Sequence, residues 1–261
     1  MRPCPKTALF LPLLVVLSLA APALAGPPTY AWQPEAASET LAQRIAPPPG
    51  FRRVAVPQGS WSEWLRGLPV KGKGAKVMLY TGKPKWRQDV QAAVIDIDVG
   101  NRDLQQCADA IMRLRAEWLY AADRKRDIAF NYTDGKRHAF SARRQQDYKS
   151  FRKYMTLIFA YAGTYSLEQE LKPVPADEIA VGDVFIKGGF PGHAVLVADM
   201  VENDAGERRF LLIQSYMPAQ DMHVLKNPAA ADGSPWYEAP VAGQLVTPEW
   251  TFPEGSLRRW P

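Results

Sequence analysis

From Gly182 onward the apolar period of this chain falls from 3.6 to 2, and that change constrains its fold more than any other feature. "GDVFIKG", "HAVLVADM" and "RRFLLIQSY" alternate as strands do, and the turn "ENDAGE" joins the last two. Upstream the spacing is helical. In "NRDLQQCADAIMRLRAEWLYAADRKRD", Ile111, Leu114 and Trp118 recur at i, i+3 and i+7, with the charges of Arg113, Arg115 and Glu117 elsewhere. "DYKSFRKYMTLIFAYAG" turns Phe151, Tyr154, Met155, Ile158 and Phe159 inward and ends at Gly163. Helices followed by at least three strands predict an α+β domain with helices packed on an antiparallel sheet.

The first 25 residues carry Arg2 and Lys6, an apolar run from Ala8 to Leu19, and Ala23-Leu24-Ala25. That pattern predicts a signal peptide cut after Ala25 and a secreted or periplasmic protein. Residues 26–37, rich in Pro, Ala and Gly, read as a flexible leader, and residues 38–261 as one α+β domain. No later apolar run is long enough to span a membrane, so no stable insertion is expected after cleavage. Within the domain, "SETLAQRIAPPPG" predicts a short helix capped by Ser38, "FRRVAV" a strand, "SWSEWLRGL" a helix capped by Ser60, and "KVMLY" a strand. "AAVIDIDVG" alternates as a strand with Asp96 and Asp98 on a solvated face. Asp134-Gly135 marks a hairpin turn in the basic stretch between the two long helices.

The net charge of +5 is spread along the chain and forms no stripe. That distribution suits an anionic envelope polymer and argues against nucleic acid as a partner. Once Cys4 leaves with the signal peptide, Cys107 is alone and cannot form an intramolecular disulfide. A lone thiol in an oxidising compartment is either buried or used.

Cys107 is predicted in the first turns of a helix, where the amide dipoles favour a thiolate, and His193 enters its strand through Pro191-Gly192. Gln214, on the neighbouring strand, could hold the imidazole in one tautomer. Each residue also has a plain structural reading: Cys107 as inert core, His193 as a strand cap, and Gln214 as a satisfied polar side chain. Asp199 shares a predicted face with His193 but lies six strand residues away, about 20 Å, too far to serve that ring.

The order of a helix-initial Cys, "AVGDVFI", "GHAVLVAD" and a strand ending in a polar residue resembles the NlpC-type branch of papain-like cysteine hydrolases, many of which cut peptidoglycan peptides. The resemblance implies Cys107 as nucleophile, His193 as base and Gln214 as the third polar residue. The blocks "LQQCADAIMRLRAEWLY", "FRKYMTLIFAYAGT", "GDVFIKGGFPGHAVLVADM" and "FLLIQSYMPAQDMHVLKNP" also resemble an uncharacterised family of secreted bacterial proteins.

The expectation is an extracytoplasmic cysteine hydrolase with a papain-like, NlpC-type fold, acting on amide bonds of cell-envelope peptides or glycan-peptides, peptidoglycan stem peptide first. The Cys107 N–H would help hold the oxyanion. Gly189 and Gly192 would allow close backbone approach to substrate, and Tyr216 and Trp236 would stack on it. The alternative is a non-catalytic envelope binding module with the same fold. His138 is expected in solvent and His223 on a loop near the site; no histidine pair has metal-ligand spacing, and neither metal nor cofactor is expected.

Overall fold

The computed structural model describes Met1 and residues 28–33, 35 and 38–261; the signal-peptide expectation therefore falls almost wholly outside the described residues. The elements run α1 (Leu41–Arg44), β1 (Phe51–Arg53), α2 (Trp61–Arg66), β2 (Gln91–Val94), α3 (Cys107–Ala121), β3 (Ala129–Asn131), β4 (Arg137–Ala139), α4 (Tyr148–Tyr161), α5 (Thr164–Glu170) and β5 (Lys172–Pro173). The chain then turns almost entirely to strands: β6 (Val184–Lys187), β7 (His193–Asn203), β8 (Arg208–Gln214), β9 (His223–Leu225), β10 (Tyr237–Ala239), β11 (Leu245–Val246), β12 (Thr251–Phe252) and β13 (Leu257–Arg259). The fold is α+β, built on an antiparallel sheet ordered β2-β9-β8-β7-β6-β13-β5.

The period-2 segments make the centre of that sheet. β7 pairs with β8 along one edge; along the other it pairs first with β6 and then with β1. Up to Val197 the alternation is strict: Ala194 and Leu196 join the large core under the helices, while Val195 and Val197 join a smaller cluster on the opposite face. A register shift between Val197 and Asp199 then reverses the parity, which is what an extra residue in one strand does. Asp199 is consequently paired with Leu211 of the helix-side core and lies on the other face from His193. There its carboxylate takes Arg53 Nε at 2.7 Å and Arg66 Nε at 2.5 Å. The shared face expected from uninterrupted alternation is corrected by this bulge.

α3 starts at Cys107, and Ile111, Leu114 and Trp118 are buried as their spacing predicts. Arg113 and Glu117, read as lying off the buried face, are buried as well. Arg113 reaches Asp98 Oδ1 at 2.7 Å and Gln105 Oε1 at 2.6 Å, and Tyr148 Oη donates to Glu117 at 2.9 Å. Asp98, exposed as expected but beyond the end of β2, also takes Arg152 at 2.9 Å and so anchors two arginines. The buried polar face survives because almost every group on it has a partner of opposite charge or a hydrogen-bond complement.

Several local expectations shift. α1 is capped by Thr40 rather than Ser38, with Gln43 returning the bond in a capping box. α2 is capped by Ser60 as expected. "KVMLY" forms isolated antiparallel bridges rather than a strand, Met78 with Pro84 and Leu79 with Gln220, while the Met78 N–H is taken by the Asp221 carboxylate. Gly163 does not simply end α4; it precedes α5, which went unforeseen, and has extended backbone there. The Asp134-Gly135 hairpin forms as β3–β4, but His138, paired with Phe130, is half-buried, its ring stacked at 3.6 Å on Tyr132 two residues beyond that pair. Within the stretch expected to be a mobile leader, Tyr30 donates to the Trp64 carbonyl at 2.8 Å and Trp32 to that of Asp96 at 2.8 Å.

Candidate active site

α3 packs on β7, and its first residue arrives at the start of that strand. The Ala110 N–H takes the Gln106 carbonyl as the first helical bond, so the Cys107 N–H belongs to the turn that has no intrahelical acceptor. The Cys107 sulfur lies within reach of the backbone N–H groups of Ala108, Ala194 and Cys107 itself, all of which favour a thiolate. Ala194 is the residue after His193, so the sulfur lies against the entry of β7. Burial, followed by the charge of Asp109, outweighs those amides and pushes the thiol up to about 12. Cys107 is 8% exposed, which makes access the deciding question for any chemistry there.

His193 opens β7 and is almost fully buried, its ring packed by Tyr216 at 4.7 Å, Trp250 at 5.4 Å and Phe252 at 5.7 Å between centroids. Burial lowers its pKa to about 4, against the hydrogen bond it donates to Gln214, and the nearby Lys85 charge acts in the same direction as burial. Burial raises the Tyr216 hydroxyl, the Glu249 charge adds to it, and the Tyr216 ring lies against the imidazole.

The network behind His193 settles its tautomer. Glu249 is paired with Lys85 at 2.5 Å, and its Oε2 lies 2.6 Å from Gln214 Nε2, so the amide nitrogen of Gln214 must donate there. His223 Nδ1 lies 2.9 Å from the Asp221 carbonyl, which can only accept, so that nitrogen carries the proton. His223 Nε2 is then an acceptor, 3.4 Å from the same Gln214 Nε2. Both donors of the Gln214 amide are used, and its Oε1 faces His193 Nε2 at 3.0 Å. An amide oxygen accepts, hence His193 Nε2 holds the proton and Nδ1 has the free lone pair. Every assignment in this chain follows from a partner that can play only one role.

Of the residues foreseen from sequence, Cys107, His193, Gln214 and Tyr216 converge at this end of the sheet. Trp236 does not: it is buried in the helix-side core and its Nε1 donates to the Ala46 carbonyl at 3.1 Å, so it cannot stack on a ligand. Gly192 is needed for the chain's own packing. A Cβ there would run into Thr164 Oγ1 and the carbonyl oxygens of Gly189 and Lys187. Gly189, at φ +118, supplies the left-handed turn of the same loop, which leaves Phe190 exposed at its tip. His223 reaches the site from strand β9, paired with Gln214, and not from a loop.

A family described as a domain of unknown function (4846) matches residues 41–145 and 140–259 of this chain. The chain belongs to that family. No curated protein and no solved structure matches it. The two matched segments of the family cover the whole arrangement, the first contributing Lys85 and Cys107 and the second His193, Gln214, His223 and Glu249.

Beside the family's paired segments lies a groove of about 940 Å³. Its inner wall is Tyr216, Glu249 and Trp250, each of which contacts His193 or its partner Gln214, with Lys85 behind Glu249; the exposed Trp86 and Met217 extend it outward. Lys85, Glu249 and Trp250 were missed by sequence reasoning. Lys85 and Glu249 are 164 residues apart, and only the aromatic run "TPEWTF" hinted that its stretch lies near a ligand surface. Among the described residues no cluster of His, Cys, Asp and Glu has the makings of a metal site.

Proposed function

We propose that this protein is an extracytoplasmic cysteine hydrolase of papain-like, NlpC type, acting on amide bonds of cell-envelope peptides. The observation that carries the reading is the His193 Nε2–Gln214 Oε1 bond at 3.0 Å, which leaves His193 Nδ1 free to act as a base, on the residue next to Ala194, whose N–H is within reach of the Cys107 sulfur. Thiol and imidazole are both neutral at rest, since one is raised to about 12 and the other lowered to about 4. Proton transfer therefore accompanies attack.

In that reading the Cys107 proton moves to His193 Nδ1 as the sulfur bonds to the substrate carbonyl carbon. His193 returns the proton to the departing amine as the C–N bond breaks, leaving a thioester. Water, deprotonated by His193, then adds to the thioester, and the expelled sulfur recovers its proton as the carboxylic acid departs. The Cys107 N–H is available to the oxyanion as a first-turn amide. Tyr216, Trp250 and Trp86 line the groove that would receive the substrate flank.

The burial of Cys107 favours a second reading, an envelope binding module that uses the same groove without chemistry. Digestion of purified cell-wall material distinguishes the two. Release of new amino termini by the wild type and none by Cys107→Ser is the expected result; equal release, or no release by either with retained binding to the wall, favours the module.

A further inference from the structure

On the far side of α3 from its first turn lies a second cavity, of about 500 Å³, lined by Arg115, Arg124, Arg126, Arg137, Asp127 and Glu170 among others. Arg115 is eight residues beyond Cys107, ~12 Å along the helix axis. Its guanidinium is held over three indoles, 4.5 Å from the Trp118 centroid, 5.5 Å from Trp260 and 5.6 Å from Trp61. Those rings fix its position but accept no N–H in the plane of the fork. Among the described residues no carboxylate or carbonyl accepts from it, and its nitrogens are not sealed from the cavity.

The acids on the wall are already engaged. Asp127 takes Arg124 Nε at 2.7 Å. Glu170 takes Arg137 at 3.2 Å and the Asn131 N–H at 2.7 Å. Neither Arg115 nor Arg126 forms an ion pair on the lining, and the Asp127 charge that acts on Arg115 is already held by Arg124. Burial and the Arg124 charge depress Arg115 to about 10, the direction expected of a cation that gains from an anion nearby. A planar fork immobilised before binding loses little entropy when it meets a carboxylate or phosphate.

We infer that this cavity is a binding site for a small dianion, held through phosphate or carboxylate oxygens by Arg115 and Arg126. The site is independent of the hydrolase reading. A purely structural Arg115, stacked only to pack the three tryptophans, would bind nothing.

Calorimetric titration of the full chain with inorganic phosphate and with malonate, near neutral pH and against sodium chloride of matched ionic strength, tests it. Saturable binding of one or both is expected; phosphate alone assigns a phosphorylated ligand and malonate alone a dicarboxylate. Arg126→Gln should weaken the binding about tenfold, the loss expected for one charge-assisted bond. Arg115→Lys, which keeps the charge and loses the fork, should weaken it at least as much. Cys107→Ser should leave it unchanged. Arg126 is exposed, so Arg126→Gln keeps the test alive if Arg115→Lys does not fold. No saturable binding of either anion, or equal affinity in wild type and Arg126→Gln, overturns the proposal.

Discussion

Gln214 accepts a hydrogen bond from His193 through Oε1 at 3.0 Å while its amide nitrogen donates to Glu249 at 2.6 Å. One side chain thereby converts a buried ion pair into a choice of histidine tautomer. Nitrogen NMR of the labelled protein should show His193 protonated at Nε2 and bare at Nδ1 down to about pH 4, where burial has placed its titration. A proton on Nδ1 at neutral pH would end the assignment of that atom as the base.

Replacing Gln214 by Leu strands the His193 N–H and the His223 Nε2 lone pair away from water. A loss of about 3 kcal/mol, at the upper end for buried unsatisfied groups, is expected in urea unfolding. Gln214→Asn, too short to reach both neighbours, should fall between.

Lys85 and Glu249 are both nearly inaccessible and 2.5 Å apart. Lys85→Met removes the partner of a buried carboxylate, and a loss of about 3 to 5 kcal/mol is expected. The double variant Lys85→Met with Glu249→Gln should recover most of it, because no charge is then buried alone. Lys85→Met alone should also raise the His193 pKa, since the Lys85 charge holds it down.

Acid should destabilise the fold through its two buried imidazoles. Burial lowers His193 to about 4 and His223 to about 3, both from an ordinary 6.5. A depressed folded-state pKa contributes full stability above pH 6.5; below it the unfolded chain takes up protons the folded one refuses, and stability falls until pH reaches 4 and 3 respectively. Thermal midpoints should drop steadily across that window, and His223→Gln should flatten the drop. An unchanged slope in His223→Gln would show that this ring contributes nothing.

Iodoacetamide should alkylate native Cys107 slowly at neutral pH and about tenfold faster per pH unit above it, because the thiol is raised to about 12. Fast labelling at neutral pH that His193→Ala abolishes would instead demonstrate a standing thiolate–imidazolium pair.

The local pattern made much of this legible. Alternation placed β6, β7 and β8, the helical period placed α3 and α4, and Cys107 opens its helix as read, since each depends on spacing within a few residues. Short elements went astray where a distant partner outvoted propensity. "KVMLY" was reduced to isolated bridges with Pro84 and the distant Gln220, and Trp236 was claimed by the core. Asp199 changed faces through one extra residue that no alternation count reveals.

What the residues determined by themselves was periodicity: which segments are helix or strand, and that a thiol, an imidazole and an amide follow one another across them. The protonation of His193 was decided only by folding, because it depends on Lys85 and Glu249, 164 residues apart in the chain and 2.5 Å apart in space. A buried charge sets the orientation of its neighbours over a few ångströms of low-dielectric interior, and no local pattern records which charges will share that interior.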